Sequence, residues 1–155
     1  MVEYYLFSIR PQYAQAIFAG VKKYELRRGV GKDIKSGDIV IVYVSGHVKR
    51  LYGAFTIGRI IRGTTQQVWR AVTIGATGIG RDAWQYIEGS PRAMALEVKR
   101  PRVFRSQPSL QEIRRVFPNW NPPLSYLHID PDHPVFRIFI KPLLQELGYG
   151  VDNEV

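Results

Sequence analysis

Between Gly20 and Arg28 the sequence runs Gly-Val-Lys-Lys-Tyr-Glu-Leu-Arg-Arg, which sets one carboxylate, Glu25, between Lys22 and Lys23 on one side and Arg27 and Arg28 on the other. A lone glutamate among cations can accept hydrogen bonds from amino groups while its neighbours bind phosphate or carbonyl oxygens, and proteins hold nucleotides in this way. The same residues could also form a self-paired charged β-edge, where Lys and Arg discourage strand-to-strand aggregation. Which of the two applies depends on the elements that place them.

Upstream, Tyr4 to Ile9 is a short β-rich run, and Pro11 suits the first position of a helix. Tyr13, Ala16 and Ile17 recur at helical spacing, and Gly20 is a natural left-handed stop. The chain then turns into a strand. Alternation from Tyr24 places Tyr24 and Leu26 on one face and Glu25 and Arg27 on the other. Downstream, Gly29 to Gly37 reads as a loop, Ile39 to Val44 as a strand buried on both faces, and Leu51 to Ile61 as a strand whose Gly53 and Gly58 suggest bulges. Thr64 and Thr65 cap a helix to about Val72. A glycine-rich loop ends at Gly80, and Asp82 is read as the cap of a short helix carrying Trp84 and Ile87 inward. A third long strand covers Met94 to Phe104, and Ser109 to Glu112 is a capping box. Pro118 to Pro123 is a rigid loop, Ser125 to Ile129 the last strand, and Pro134 opens a closing helix kinked at Pro142 and ended by Gly148.

Several other signals carry no chemistry. The loop from Gly75 to Gly80 is followed by Arg81 and Asp82 instead of Lys-Ser/Thr, so it is not a P-loop. The run His128-Ile129-Asp130-Pro131-Asp132-His133 has metal-ligand residue types, but Pro131 within it and Pro134 after it break the spacing, and a turn capping the last helix is the expectation. His47 is a loop histidine, and no nucleophile elbow is present. No metal and no cofactor is expected.

At 155 residues the chain suits one domain, 1–150, with a short tail at 151–155. The absence of cysteine excludes disulfides, thiolate metal sites and cysteine catalysis. No stretch has the form of a signal peptide or a membrane span, which leads us to expect a soluble cytoplasmic protein, monomer or homodimer, that does not engage membranes. A net charge of +9 makes a polyanion, RNA or a nucleotide, the expected partner.

The order Ser8-Ile9-Arg10-Pro11, helix, Gly20-x-Lys22-x-x-Glu25-x-Arg27, Gly37-Asp38 before an apolar strand, and later Pro122-Pro123-Leu124-Ser125-Tyr126 resembles the ASCH domain family of the PUA-like superfamily. The resemblance runs from about Tyr5 to Leu147. It implies an α+β fold: a small PUA-like β-barrel of five or six strands, with helices packed at its ends and a helical insertion from Thr64 to Gly89. It also implies recognition of RNA or modified bases in a cleft holding Lys22, Glu25 and Arg27, with Ser8, Arg10, Lys23, Tyr43, Ser45, Ser125 and Tyr126 as further candidates.

In a binding module, Glu25 would accept from an exocyclic amine while Lys22 and Arg27 bind phosphate or a base carbonyl. The alternative is a small amidohydrolase acting on N4-acylated cytidine, or a ribonuclease, with Lys22 as general base and Glu25 beside it. Family members that deacylate acetylcytidine are expected to carry a threonine where this chain has Glu25. That departure removes their proton relay unless Ser8, Ser45 or Ser125 replaces it, with Glu97 as the distant carboxylate.

Overall fold

The computed structural model describes residues 1–151. The elements run β1 (Tyr4–Ile9), α1 (Pro11–Phe18), β2 (Tyr24–Arg28), β3 (Ile39–Val44), β4 (Arg50–Thr64), α2 (Thr65–Val72), α3 (Arg81–Ile87), β5 (Arg92–Val103), α4 (Leu110–Val116), β6 (Tyr126–His128), a π-helical turn (Phe136–Ile140) and α5 (Lys141–Glu146). The strands form one curled six-stranded half-barrel in the order β2-β5-β4-β3-β1-β6. β1 and β3 are parallel, and every other neighbouring pair is antiparallel. The α+β fold expected from the sequence is the observed one, its small barrel of five or six strands being a curled half-barrel of six.

Strand alternation divides the apolar side chains between the two faces of the sheet. Tyr4, Leu6, Ile39 and Ile41 face a cluster closed by Ile113 of α4 and by Phe136, Ile140 and Leu144 of the last helix. Tyr5, Phe7, Val40, Val42, Phe55 and Leu96 face a second cluster completed by Ala14 and Ile17 of α1. β3 contributes to both clusters, which is why all six of its residues are buried and why its sequence is apolar throughout. A third cluster joins Tyr24, Leu26, Ala93 and Ala95 to Val68 and Val72 of α2 and Ile87 of α3, so the helical insertion packs behind β2 and β5.

The register of β4 shifts beside Gly53 and Gly58, and these bulges curl the sheet. Gly20 takes φ +78°, the left-handed stop that turns α1 into the Lys22 segment. Two local expectations are corrected. α3 is capped by the backbone of Gly80, and Asp82 lies in its first turn without capping it. The last strand is only three residues long. Pro142, where a kink is expected, stands in the first turn of α5, where a missing N–H costs least, and a π-helical turn precedes it. Of the expected tail, Val151 is buried in the first cluster, and residues 152–155 lie outside the described residues.

Candidate functional site

The two open edges of the half-barrel, β2 and β6, approach each other where β1 and β3 end, and a cleft of about 950 Å3 opens there. Its floor is the Lys22-Glu25-Arg27 group. All three side chains are buried, which is unusual for charged groups and tolerable only when they are paired. Lys22 Nζ donates to Glu25 Oε1 at 2.8 Å and to the Tyr24 carbonyl at 2.6 Å. Arg27 Nε donates to Glu25 Oε2 at 3.0 Å, with Nη2 at 2.9 Å from the same oxygen. Burial alone would raise the Glu25 carboxyl, but the charges of Lys22 and Arg27 and their hydrogen bonds outweigh it and hold the group below its ordinary range.

Arg27 also spans the gap between the edges. Nη1 donates to Ser125 Oγ at 2.9 Å and Nη2 to the Ser8 carbonyl at 3.1 Å, so one guanidinium links β2, β1 and the loop before β6. Its face lies 4.8 Å from the Phe7 ring centroid, packing that fixes the plane of the fork. Ser8 Oγ donates to the Pro123 carbonyl at 2.6 Å and thereby holds the Pro122-Pro123 segment against the cleft.

The walls carry Arg10, Tyr13, Tyr43, Ser45, Lys49, Asp82, Tyr86, Arg114 and Asn121. Counting the floor, five cations stand against two carboxylates. Arg10 and Lys49 are exposed and make no side-chain hydrogen bond or ion pair among the described residues. Lys49 holds a left-handed φ of 52°, and its carbonyl accepts from Leu110, which brings the start of α4 to the cleft. Arg114 donates to the Trp120 carbonyl and to Asn121. Burial lifts the Tyr43 phenol above its ordinary value, with Arg114 pulling the other way. The Tyr13 hydroxyl donates to Asp82 Oδ2 at 2.5 Å, and this bond, followed by burial, raises the Tyr13 phenol.

Of the ten residues singled out from the sequence, Ser8, Arg10, Lys22, Glu25, Arg27, Tyr43, Ser45 and Ser125 line this one cleft. Lys23 and Tyr126 do not. Lys23 is exposed, and its backbone N–H bonds the Thr77 carbonyl of the insertion. Tyr126 stacks on Phe7 at 4.8 Å, because alternation sends it to the face opposite Ser125. Glu97 stands apart from the cleft, accepting from the Arg59 N–H at 2.8 Å and pairing with Lys99. Of the histidine-aspartate run, His133 caps the last helix by accepting from the Val135 N–H, and His128 pairs with Glu3.

Sequence reasoning did not bring Tyr13, Lys49, Asp82, Tyr86 and Arg114 to the site. Asp82 was readable only as a cap, and Lys49 and Arg114 reach the cleft through the pairing of Arg50 with Ser109, a contact without local signature.

The ASCH domain model matches residues 7–102, well over half the chain and all of the cleft floor. The protein belongs to the ASCH domain family. Its fold is that of the ASCH protein from Zymomonas mobilis, whose crystal structure superposes with a TM-score of 0.71 at 21% identity, covering 94% of each chain. A variant of that protein gives 0.72 at 20% identity, over 94% of this chain and 96% of that one. The N-terminal domain of Staphylothermus marinus McrB is more distant, at 0.53 and 13% identity over 85% of this chain and 91% of its own. No curated protein matches the chain. ASCH domains share the PUA-like fold, which is generally linked to RNA binding. Among the described residues no helix is long and apolar enough to cross a membrane.

Proposed function

We propose that this ASCH domain binds RNA or a nucleotide in the cleft between β2 and β6, holding a phosphate and an acceptor edge of a base. The observation that carries this reading is the imbalance of free hydrogen-bonding groups. Both oxygens of Glu25 are spent on Lys22 and Arg27. Arg10 and Lys49, and the hydroxyls of Tyr43 and Ser125, have no acceptor among the described residues. A cleft that offers donors to its occupant suits phosphate oxygens and base carbonyls.

Glu25 therefore takes a different part from the one its sequence context suggests. It fixes Lys22 and Arg27 in place and neutralises half of their charge, and the amine-reading role passes away from it. Arg10 and Lys49 supply the phosphate contacts, and Tyr13 and Tyr86 supply ring faces for a base.

Titrating a mixed single-stranded RNA at several salt concentrations tests this. Each phosphate contact contributes about −0.7 to the slope of log affinity against log salt. A saturable isotherm with a slope near −1.4 or steeper is expected, and a flat salt response counts against the reading.

Hydrolysis of the same ligand class is the second reading, favoured by the position of Lys22 in the cleft floor. A general base has to offer a lone pair, however, and here Lys22 Nζ is a donor to both Tyr24 and Glu25. Incubation with acetylated cytidine and with labelled RNA separates the two. Binding without turnover supports the module, and turnover abolished by Lys22→Ala supports the enzyme.

A further inference from the structure

A second hollow of about 320 Å3 lies away from the cleft and shares no residue with it. It is lined by Thr56, Arg100, Arg102 and the Leu147–Gly150 segment after α5. Thr56 pairs with Ile39 at the first residue of β3, whereas Tyr43 and Ser45 of the cleft stand at the other end of that strand.

Among the described residues the hollow contains two arginines and no carboxylate. Arg102 donates one N–H to the Leu147 carbonyl, which fixes the guanidinium and leaves the rest of its five donors for other partners. The Arg100 side chain makes no hydrogen bond or ion pair among the described residues. The Gly150 N–H has no hydrogen-bond partner among them. The Tyr149 hydroxyl is buried in the same wall, with the Thr56 hydroxyl as its polar neighbour.

Arg100 takes φ +49° as part of the bulge that sets Arg100 and Pro101 opposite Phe55, a left-handed conformation that glycine would adopt freely. Two cations at a concave site with no carboxylate among its described residues favour an anion.

We propose that this hollow is an oxyanion site that takes a phosphate group, with Arg100 and Arg102 as its cations and Thr56 and the Gly150 N–H as neutral donors. The phosphate is either that of a free phosphorylated ligand or one along a nucleic-acid backbone.

The test is amide NMR of the full chain titrated with inorganic phosphate at constant ionic strength, and separately with short single-stranded RNA. Saturable shifts at Gly148 and Gly150 are expected with phosphate, weakened at least tenfold in Arg100→Ala, a change that removes no hydrogen bond. Arg100→Gly should weaken binding equally while raising or preserving thermal stability, because it relieves the left-handed strain. If RNA shifts the same amides and Arg100→Ala reduces its salt slope by about 0.7, the site takes a backbone phosphate. If only inorganic phosphate does so, it takes a small free ligand. Glycine amides that stay still in both titrations, or that respond identically in wild type and Arg100→Ala, overturn the proposal.

Discussion

Replacing Glu25 by Gln keeps the shape of the side chain and removes its charge, leaving Lys22 and Arg27 buried beside each other with nothing to balance them. Both ion pairs run to the two oxygens of this one carboxylate, at 2.8 and 2.9 Å, and the side chains involved are only 7–8% exposed. Solvent screening is therefore weak, and breaking a buried pair from one side costs about 3–5 kcal/mol. For a domain of this size that corresponds to a fall in Tm of roughly 6–20 °C. Thermal melts and urea titrations followed by circular dichroism measure it directly. A companion variant, Lys22→Met with Glu25→Leu and Arg27→Met, replaces the whole group by apolar side chains. It should be more stable than Glu25→Gln, because no uncompensated charge remains, and should still lose ligand binding. A cost below about 1 kcal/mol for Glu25→Gln, the value of an exposed pair, or a triple variant less stable than the single one, would refute the reasoning.

The same carboxylate sets an acid limb. Its pKa is lowered in the folded protein, so its contribution to stability is fully present above the ordinary value of 4.5 and is lost as pH falls through the depressed folded value. Urea midpoints measured on the acid side of that value should fall less steeply with pH in Glu25→Gln than in wild type. Arg27→Lys cannot reach Ser125, Ser8 and Glu25 together; it should cost about 1.5–3 kcal/mol and speed amide exchange across Tyr126–His128, read by hydrogen-exchange mass spectrometry. Gly78→Ala would set a Cβ 2.2 Å from the Val21 carbonyl and 3.0 Å from Lys22 Cα, at a φ of +73°. It should lower stability by roughly 2 kcal/mol or more and weaken RNA binding as well, because the displaced backbone carries Lys22.

The cleft floor could be read from sequence because it rests on short-range periodicity. A strand period of two separates Glu25 and Arg27 from Tyr24 and Leu26, and a proline and a glycine bound α1 on either side. The half-barrel was legible for the same reason, since β3 is apolar on both faces and β4 carries its bulges beside Gly53 and Gly58. The walls were not, because they depend on tertiary placement. Asp82 has the residue type of a cap, but the helix begins two residues earlier than such a cap would require, which frees its carboxylate for Tyr13. Lys49 and Arg114 meet at the cleft only because α4 docks on the end of β4. The direction of the Glu25 oxygens was also beyond pattern, since the same spacing serves a carboxylate facing a ligand and one enclosed by its own neighbours.

The central claim is that an acceptor-rich nucleic-acid ligand is held by the free cations of this cleft. The most direct measurement is fluorescence anisotropy of a labelled single-stranded RNA across a salt series, with wild type beside Arg10→Glu/Lys49→Glu. Both positions are exposed and unpaired among the described residues, so the fold should be unchanged. Affinity should fall at least tenfold at low salt, and the salt slope should shrink by about 1.4, the share of two phosphate contacts. Superimposable isotherms for the two proteins would contradict the claim.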